Sequence, residues 1–191
     1  MIDSLNKMLS KSNILSEDSI LSLLERWHKS KKLKAREILL DFNQKDSYLY
    51  FVVSGCLRLF VVDNQGNEVN IGFAFENTFI TSFQSYIQEK PSLQSIGAIL
   101  ESEIIAIHKK DLKPLINKTC DIAQWYQSLL EITLSGHIQR QTELLTLSPQ
   151  EKYDVFIKRS GHLINAIPLK HIASYLMMKP ETLSRVRAKF S

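Results

Sequence analysis

The spacing of apolar residues changes character three times along the chain. Ile20, Leu21, Leu23, Leu24 and Trp27 recur at helical spacing behind Ser16-Glu17-Asp18-Ser19, a cap followed by first-turn acids, so an amphipathic helix is predicted there. From about residue 38 to residue 107 the period shortens to that of strands. Residues 48–53 and 56–62 are aromatic and β-branched runs broken at Ser54-Gly55, and Asp63-Asn64-Gln65-Gly66 is a turn leading into residues 69–73. Residues 96–99 and 103–107 add further short strands. Short strands separated by turns predict an antiparallel barrel or jelly roll.

After residues 109–112 helical spacing returns and persists past Leu145, with only Pro114, near a helix start, as a break. Two apolar stripes share the long helix of roughly residues 116–145. Ile122, Trp125, Leu129 and Ile132 form one; Ala123, Tyr126, Leu130, Leu134 and Ile138 form the other. A helix that is apolar on two sides needs two covers. The chain's own barrel supplies one, and a symmetry-related helix supplies the other; Ile122, Trp125, Leu129 and Ile132 are assigned to the dimer interface.

Ser148-Pro149-Gln150-Glu151 is a capping box with proline at the first helical position, so a new helix and a domain boundary fall near residues 146–148. Three units are expected: an effector domain at 1–113, a dimerisation helix at 114–146 and a small helical domain at 147–191. Tyr153, Phe156, Ile157, Leu163, Ile164 and Ile167 supply the packing of the last unit.

Within it, residues 168–187 read as a helix-turn-helix. Ala173 is the small residue at the helix crossing, and Ile172, Leu176, Met178, Leu183 and Val186 close the motif's core. Pro180 and Glu181 suit the first turn of a helix. Leu183, Val186 and Phe190 then face inward, which turns Glu181, Ser184, Arg185 and Ala188 outward. Arginine donates two parallel bonds to guanine, glutamate accepts from cytosine and serine is permissive, so Glu181, Ser184 and Arg185 are candidates for base readout. The competing assignment is a surface ion pair between Glu181 and Arg185. Lys170, Lys179, Thr182, Arg187 and Lys189 are candidates for phosphate contacts. Met177 stands where such turns usually carry glycine, and Lys179 where serine or threonine would cap.

The formal charge of the 191 residues is only +4, but from residue 152 onward eight lysines and arginines face Asp154 and Glu181 alone, which makes the C-terminal part the basic end. The cluster His28-Lys29-Ser30-Lys31-Lys32-Leu33-Lys34-Ala35-Arg36 is expected to be a solvated connector. Two cysteines, Cys56 and Cys120, are too few for a disulfide framework, a zinc finger or an iron–sulfur cluster, and Cys56 is expected in the core. No signal peptide or spanning apolar run is present, so a cytoplasmic protein with no membrane contact is expected.

The order of parts, with Tyr48-Leu-Tyr-Phe-Val-Val-Ser-Gly55 in the barrel and Glu181-Thr-Leu-Ser-Arg185 in the last helix, resembles the Crp/Fnr family of bacterial transcription regulators. The resemblance covers nearly the whole chain, and the second motif is similar to the family's Glu-x-x-Ser-Arg recognition helix. It implies an α+β fold: an antiparallel β-roll, a long dimerisation helix and a helix-turn-helix domain. It implies as partners a second copy of the chain, double-stranded DNA carrying an inverted repeat with TTGA-like half-sites, and RNA polymerase. The family's cyclic-nucleotide pocket needs a Gly-Glu pair and then an arginine beside serine or threonine. Here Thr81-Ser82 stand for the first and Ser92-Leu93 lie near the second, with Lys90 the only cation nearby. A buried phosphate without its arginine is costly. The pocket is therefore read as degenerate, and the effector is a different small molecule or none. Haem and iron–sulfur cofactors are not expected. The sequence ends at Arg187-Ala188-Lys189-Phe190-Ser191, so no wing is expected after the recognition helix.

Two other classes compete. A cupin-like enzyme would need several histidines around a metal, but His28, His108, His137, His162 and His171 form no His-x-His pair, and there is no Gly-x-Ser-x-Gly elbow or phosphate loop. The remaining alternative is a ligand- or partner-binding barrel with a vestigial helix-turn-helix.

Overall fold

The computed structural model describes residues 1–161 and 166–188. Helix α1, Ile2–Ser10, precedes the first predicted helix and escaped the pattern because only Leu5, Met8 and Leu9 mark its inner face. Helix α2, Glu17–Leu24, begins where the cap predicts, with the Ser16 hydroxyl accepting from the Ser19 amide. Trp27 lies beyond the end of α2, yet it is fully buried.

The strands are β1 Lys29–Leu33, β2 Ile38–Leu40, β3 Tyr48–Ser54, β4 Cys56–Val62, β5 Glu68–Phe75, β6 Phe79–Ile80, β7 Ser95–Ala98 and β8 Ser102–His108; helix α3, Phe83–Gln88, lies between β6 and β7. They form two four-stranded sheets, ordered β1-β8-β3-β6 and β2-β7-β4-β5, with antiparallel pairing throughout. The continuous apolar runs follow from this layering. Tyr50, Val52, Ile104 and Ala106 point between the sheets, while Leu49, Phe51, Val53, Ile105 and Ile107 point outward under the helices. A strand covered on both faces loses its alternation. The break at Ser54-Gly55 is steric: Gly55 has φ +90°, and a Cβ there would lie 2.4 Å from the Glu101 carbonyl oxygen.

The basic segment expected as a connector is a strand instead. Residues 29–33 pair along their length with β8, from Lys29 opposite Ala106 to Leu33 opposite Ser102. Only Leu33 is buried, so the side chains conceal a strand that the backbone ladder makes. Lysines on such an edge discourage pairing with another chain.

The C-terminal helices are α4 Lys109–Lys118, α5 Cys120–Thr146, α6 Pro149–Ser160, α7 Leu169–Tyr175 and α8 Pro180–Arg187. The predicted long helix is thus divided at Thr119, whose backbone is extended, and Pro114 sits inside α4 instead of near its start. The capping box of α6 forms, with Ser148 and Glu151 bonding each other's backbone amides, and the Ser148 contacts hold the Glu151 carboxyl below its usual range.

The structure also corrects the dimer stripe. Ile122 and Trp125 are buried against the chain's own barrel and N-terminal helices, and Leu129 packs on the same core. All three face the first cover, the barrel, and the buried Ile122 and Trp125 are unavailable to a second chain. Ile132 is 72% exposed, and Leu134, Ile138 and Leu145 are uncovered with it. Among the described residues no helix is long and apolar enough to cross a membrane.

Candidate nucleic-acid interface and effector pocket

Helix α7 ends in a tight reversal that aims α8. The Met178 amide donates to the Ala173 carbonyl at 3.0 Å and the Met177 amide to Ser174 at 3.1 Å, a pair of bonds that requires a left-handed residue at Met177. Met177 takes φ +53°. The strain of a side chain there is on the order of 1 kcal/mol. Met178 packs into the small core in return.

Pro180 opens α8 and Lys179 precedes it without a side-chain cap. Leu183 and Val186 are buried with Ile172, Ala173 and Leu176. Glu181, Ser184, Arg185 and Ala188 are exposed on the opposite side. Glu181 and Arg185 form no ion pair with each other; the polar side chains of this face are left unjoined to any described residue. Lys170 and Lys179 are exposed beside it, and Thr182 and Arg187 are half-buried. Lys189, Phe190, Leu163 and Ile164 lie outside the described residues.

In the barrel, the buried residues of the expected effector pocket are joined to each other. Thr81, Ser82 and Ser92 are buried, whereas Leu93 is 55% exposed and Lys90 is exposed, so the last two do not belong to that set. The Asp46 carboxylate accepts from the Thr81 hydroxyl at 2.8 Å, the Ser82 amide at 2.9 Å, the Tyr50 hydroxyl at 3.1 Å and the Tyr48 amide at 3.2 Å. Ser92 donates to the Ser82 hydroxyl at 2.8 Å, and Ser82 donates to Gln94 Oε1 at 3.1 Å. Burial raises the Asp46 carboxyl above its usual range against the pull of these donors. The donors that would greet an anion are occupied by the protein's own carboxylate.

Beside this cluster a cavity of about 210 Å³ lies between β5, the β6–α3 segment and α5. Phe73, Phe79, Phe83, Thr81, Gln84, Gln94, Thr133 and His137 help to line it, and among the described residues no lysine or arginine does. Desolvation, and after it the Arg140 guanidinium, lowers the pKa of His137. The chemistry suits an uncharged ligand with an apolar body and a few hydrogen-bonding edges.

A third polar group was not foreseen. Asn70 of β5, His171 and Ser174 of α7 and Arg140 of α5 bind one another where the helix-turn-helix meets the barrel, and nothing in their spacing, 101 residues from Asn70 to His171, marks them as neighbours. Among the described residues no cluster of three or more metal-binding side chains occurs.

Residues 30–119 match the cyclic nucleotide-binding domain family. No curated protein matches the chain by sequence. Among solved structures, FixK2 from Bradyrhizobium japonicum is similar with a TM-score of 0.75 at 15% identity, over 84% of this chain and 83% of that one. A putative transcriptional regulator of the Crp/Fnr family from Eubacterium rectale matches with a TM-score of 0.69 at 16% identity, over 93% and 84%. The catabolite activator protein of Thermus thermophilus matches at 0.57 and 21% identity, over 92% and 83%. Residues 30–119 thus match the cyclic nucleotide-binding domain family, and the chain shares its fold with solved structures of Crp/Fnr transcription regulators.

Proposed function

We propose that the protein is a homodimeric, sequence-specific DNA-binding regulator that reads an inverted repeat through α8. The observation that carries this reading is the division of α8 into a closed inner face, Leu183 and Val186, and an outer face whose Glu181, Ser184 and Arg185 have no side-chain partner among the described residues. Unspent donors and acceptors on a rigid exposed helix are what base edges in a major groove can join. Arg185 is the first base reader, with Glu181 and Ser184 beside it. Lys170, Lys179, Thr182, Arg187 and Lys189 position the phosphates.

The second copy covers Ile132, Leu134, Ile138 and Leu145 of α5, which places two α8 helices about 34 Å apart, one turn of DNA. The barrel is an effector domain without the cyclic phosphate's counter-charge, so it takes an uncharged ligand or acts as a scaffold. The protein is a regulator acting in the cytoplasm, not an enzyme, and RNA polymerase is its further partner.

Titration of an inverted-repeat duplex built on TTGA-like half-sites against a scrambled duplex tests the proposal. The expected result is binding at nanomolar to sub-micromolar concentration, on the order of 10³-fold tighter than the control. Equal, weak binding to both duplexes contradicts it.

A further inference from the structure

Helix α7 does not stand free; it lies on strand β5 of the barrel. Asn70, 1% exposed, spends every hydrogen-bonding group it has at this junction. Its amide donates to the Ser174 hydroxyl at 3.0 Å, and its side-chain NH₂ to the His171 carbonyl and toward the His171 Nδ1, both at 3.2 Å. Its side-chain oxygen accepts from Arg58 at 3.2 Å, and its carbonyl accepts from Arg140 at 3.3 Å. Asn70 can donate to Nδ1 only while that nitrogen is unprotonated.

Arg140 closes the arrangement from a third element. It reaches from α5 to the Tyr175 carbonyl at 2.8 Å, and its guanidinium lies 4.4 Å from the centre of the Tyr175 ring. Tyr175 is the last residue of α7, so this cation meets the negative end of the helix and gives its last carbonyl a donor. Among the described residues Arg140 has no carboxylate partner. Phe73 of β5 stacks on Tyr175 with ring centres 5.0 Å apart, and Cys56 and Ile99 of the barrel share a core with Ile167 and Ile172.

The contact has an electrostatic consequence for α8. The β4–β5 turn brings Asp63 and Glu68 to the open cleft that Lys170, Lys179 and Pro180 line from the other side. A DNA phosphate approaching those lysines would meet the exposed Asp63 carboxylate, whereas Glu68 is already paired with Arg58 at 2.6 Å. The same strand and helix that form the junction also line the ligand-sized cavity, β5 through Gly72 and Phe73 and α5 through Thr133 and His137, the last only three residues before Arg140.

We propose that Arg140 is the keystone of an autoinhibitory clasp, joining β5, α5 and α7, that parks the helix-turn-helix on the barrel with its phosphate-binding cleft closed against the β4–β5 turn and Asp63. The inhibitory role rests on the DNA reading proposed above, whereas the clasp itself does not.

The Asn70 amide gives a test that separates the two. Its bond to Ser174 belongs to the junction, so its hydrogen exchange reports the clasp directly. In the full-length protein this amide should be protected. Ser174→Ala and Arg140→Ala should each speed its exchange about tenfold or more, with the amides of Leu57 and Leu59 in β4 unchanged as a control for folding. Both variants should also bind a cognate duplex more tightly, about tenfold if the open state is a minor one in the wild type. An unprotected Asn70 amide in the wild type overturns the clasp. Faster exchange with no gain in affinity for a duplex that the wild type does bind overturns its inhibitory role. Faster exchange in proteins that bind no duplex at all overturns the DNA reading and the inhibitory role, and leaves the clasp standing.

Discussion

The polar cluster around Asp46 and the outer face of α8 draw on the same kinds of side chain, hydroxyl and carboxylate, but differ in what those groups are joined to. Around Asp46, Thr81, Ser82, Ser92 and Gln94 bond one another in a buried network. On α8, Glu181, Ser184 and Arg185 are exposed and unjoined. A ligand at the first must displace bonds that already exist, while a ligand at the second replaces only water. Recognition is cheap where polar groups are unspent, and stability is high where they are spent.

The sharpest way to break this comparison is to remove the carboxylate. Asp46→Ala leaves the Thr81 and Tyr50 hydroxyls and the Ser82 and Tyr48 amides without an acceptor, and should cost about 3 kcal/mol in urea unfolding. A loss below about 1 kcal/mol would mean the network is not structural. Next, Leu134→Glu with Ile138→Glu should abolish self-association in analytical ultracentrifugation while leaving the unfolding midpoint nearly unchanged, since both residues are exposed. A persistent dimer would place the interface elsewhere.

Calorimetric titration with cyclic AMP should give no binding heat, because no lysine or arginine among the described residues lines the cavity. A smaller effect concerns His171. Desolvation first, then Arg58 and Lys170, against the opposing pull of Glu68, lower its pKa to about 4. The unfolded chain therefore takes up this proton first, so stability should fall as the pH drops from about 6.5 toward 4. Burial of Asp46 acts in the opposite direction, so the His171 contribution is read as the difference between wild type and His171→Gln across that range. Equal pH profiles would contradict it. The smallest expected change is in the thermal stability of Arg185→Ala, within about 0.5 kcal/mol of wild type, as befits a side chain joined to nothing.

Local signals in the sequence were sufficient for much of this. The capping box at Ser148, the turn at Met177 and the inward Leu183 and Val186 depend on neighbours within a few residues, and each is found where the pattern puts it. Features that depend on distant partners were not legible. The two stripes of α5 are equally apolar, and only the folded barrel decides that Ile122 and Trp125 turn to it. Strand β1 is hidden because its lysines face solvent and its partner β8 is about seventy residues away. Asp46 carries no motif, and its role appears only when Thr81 and Ser82 close over it. Asn70 and Arg140 become meaningful only once α7 lies on β5.

The central claim, that α8 reads DNA through its unjoined outer face, is tested most directly by selecting bound duplexes from a random pool with wild type and Arg185→Ala in parallel. The account predicts that the wild type enriches an inverted repeat with half-site centres one helical turn apart, and that the variant loses discrimination at one base of each half-site, worth about 1–3 kcal/mol. Enrichment of no sequence by the wild type, or of the same fully specified repeat by both proteins, would contradict it.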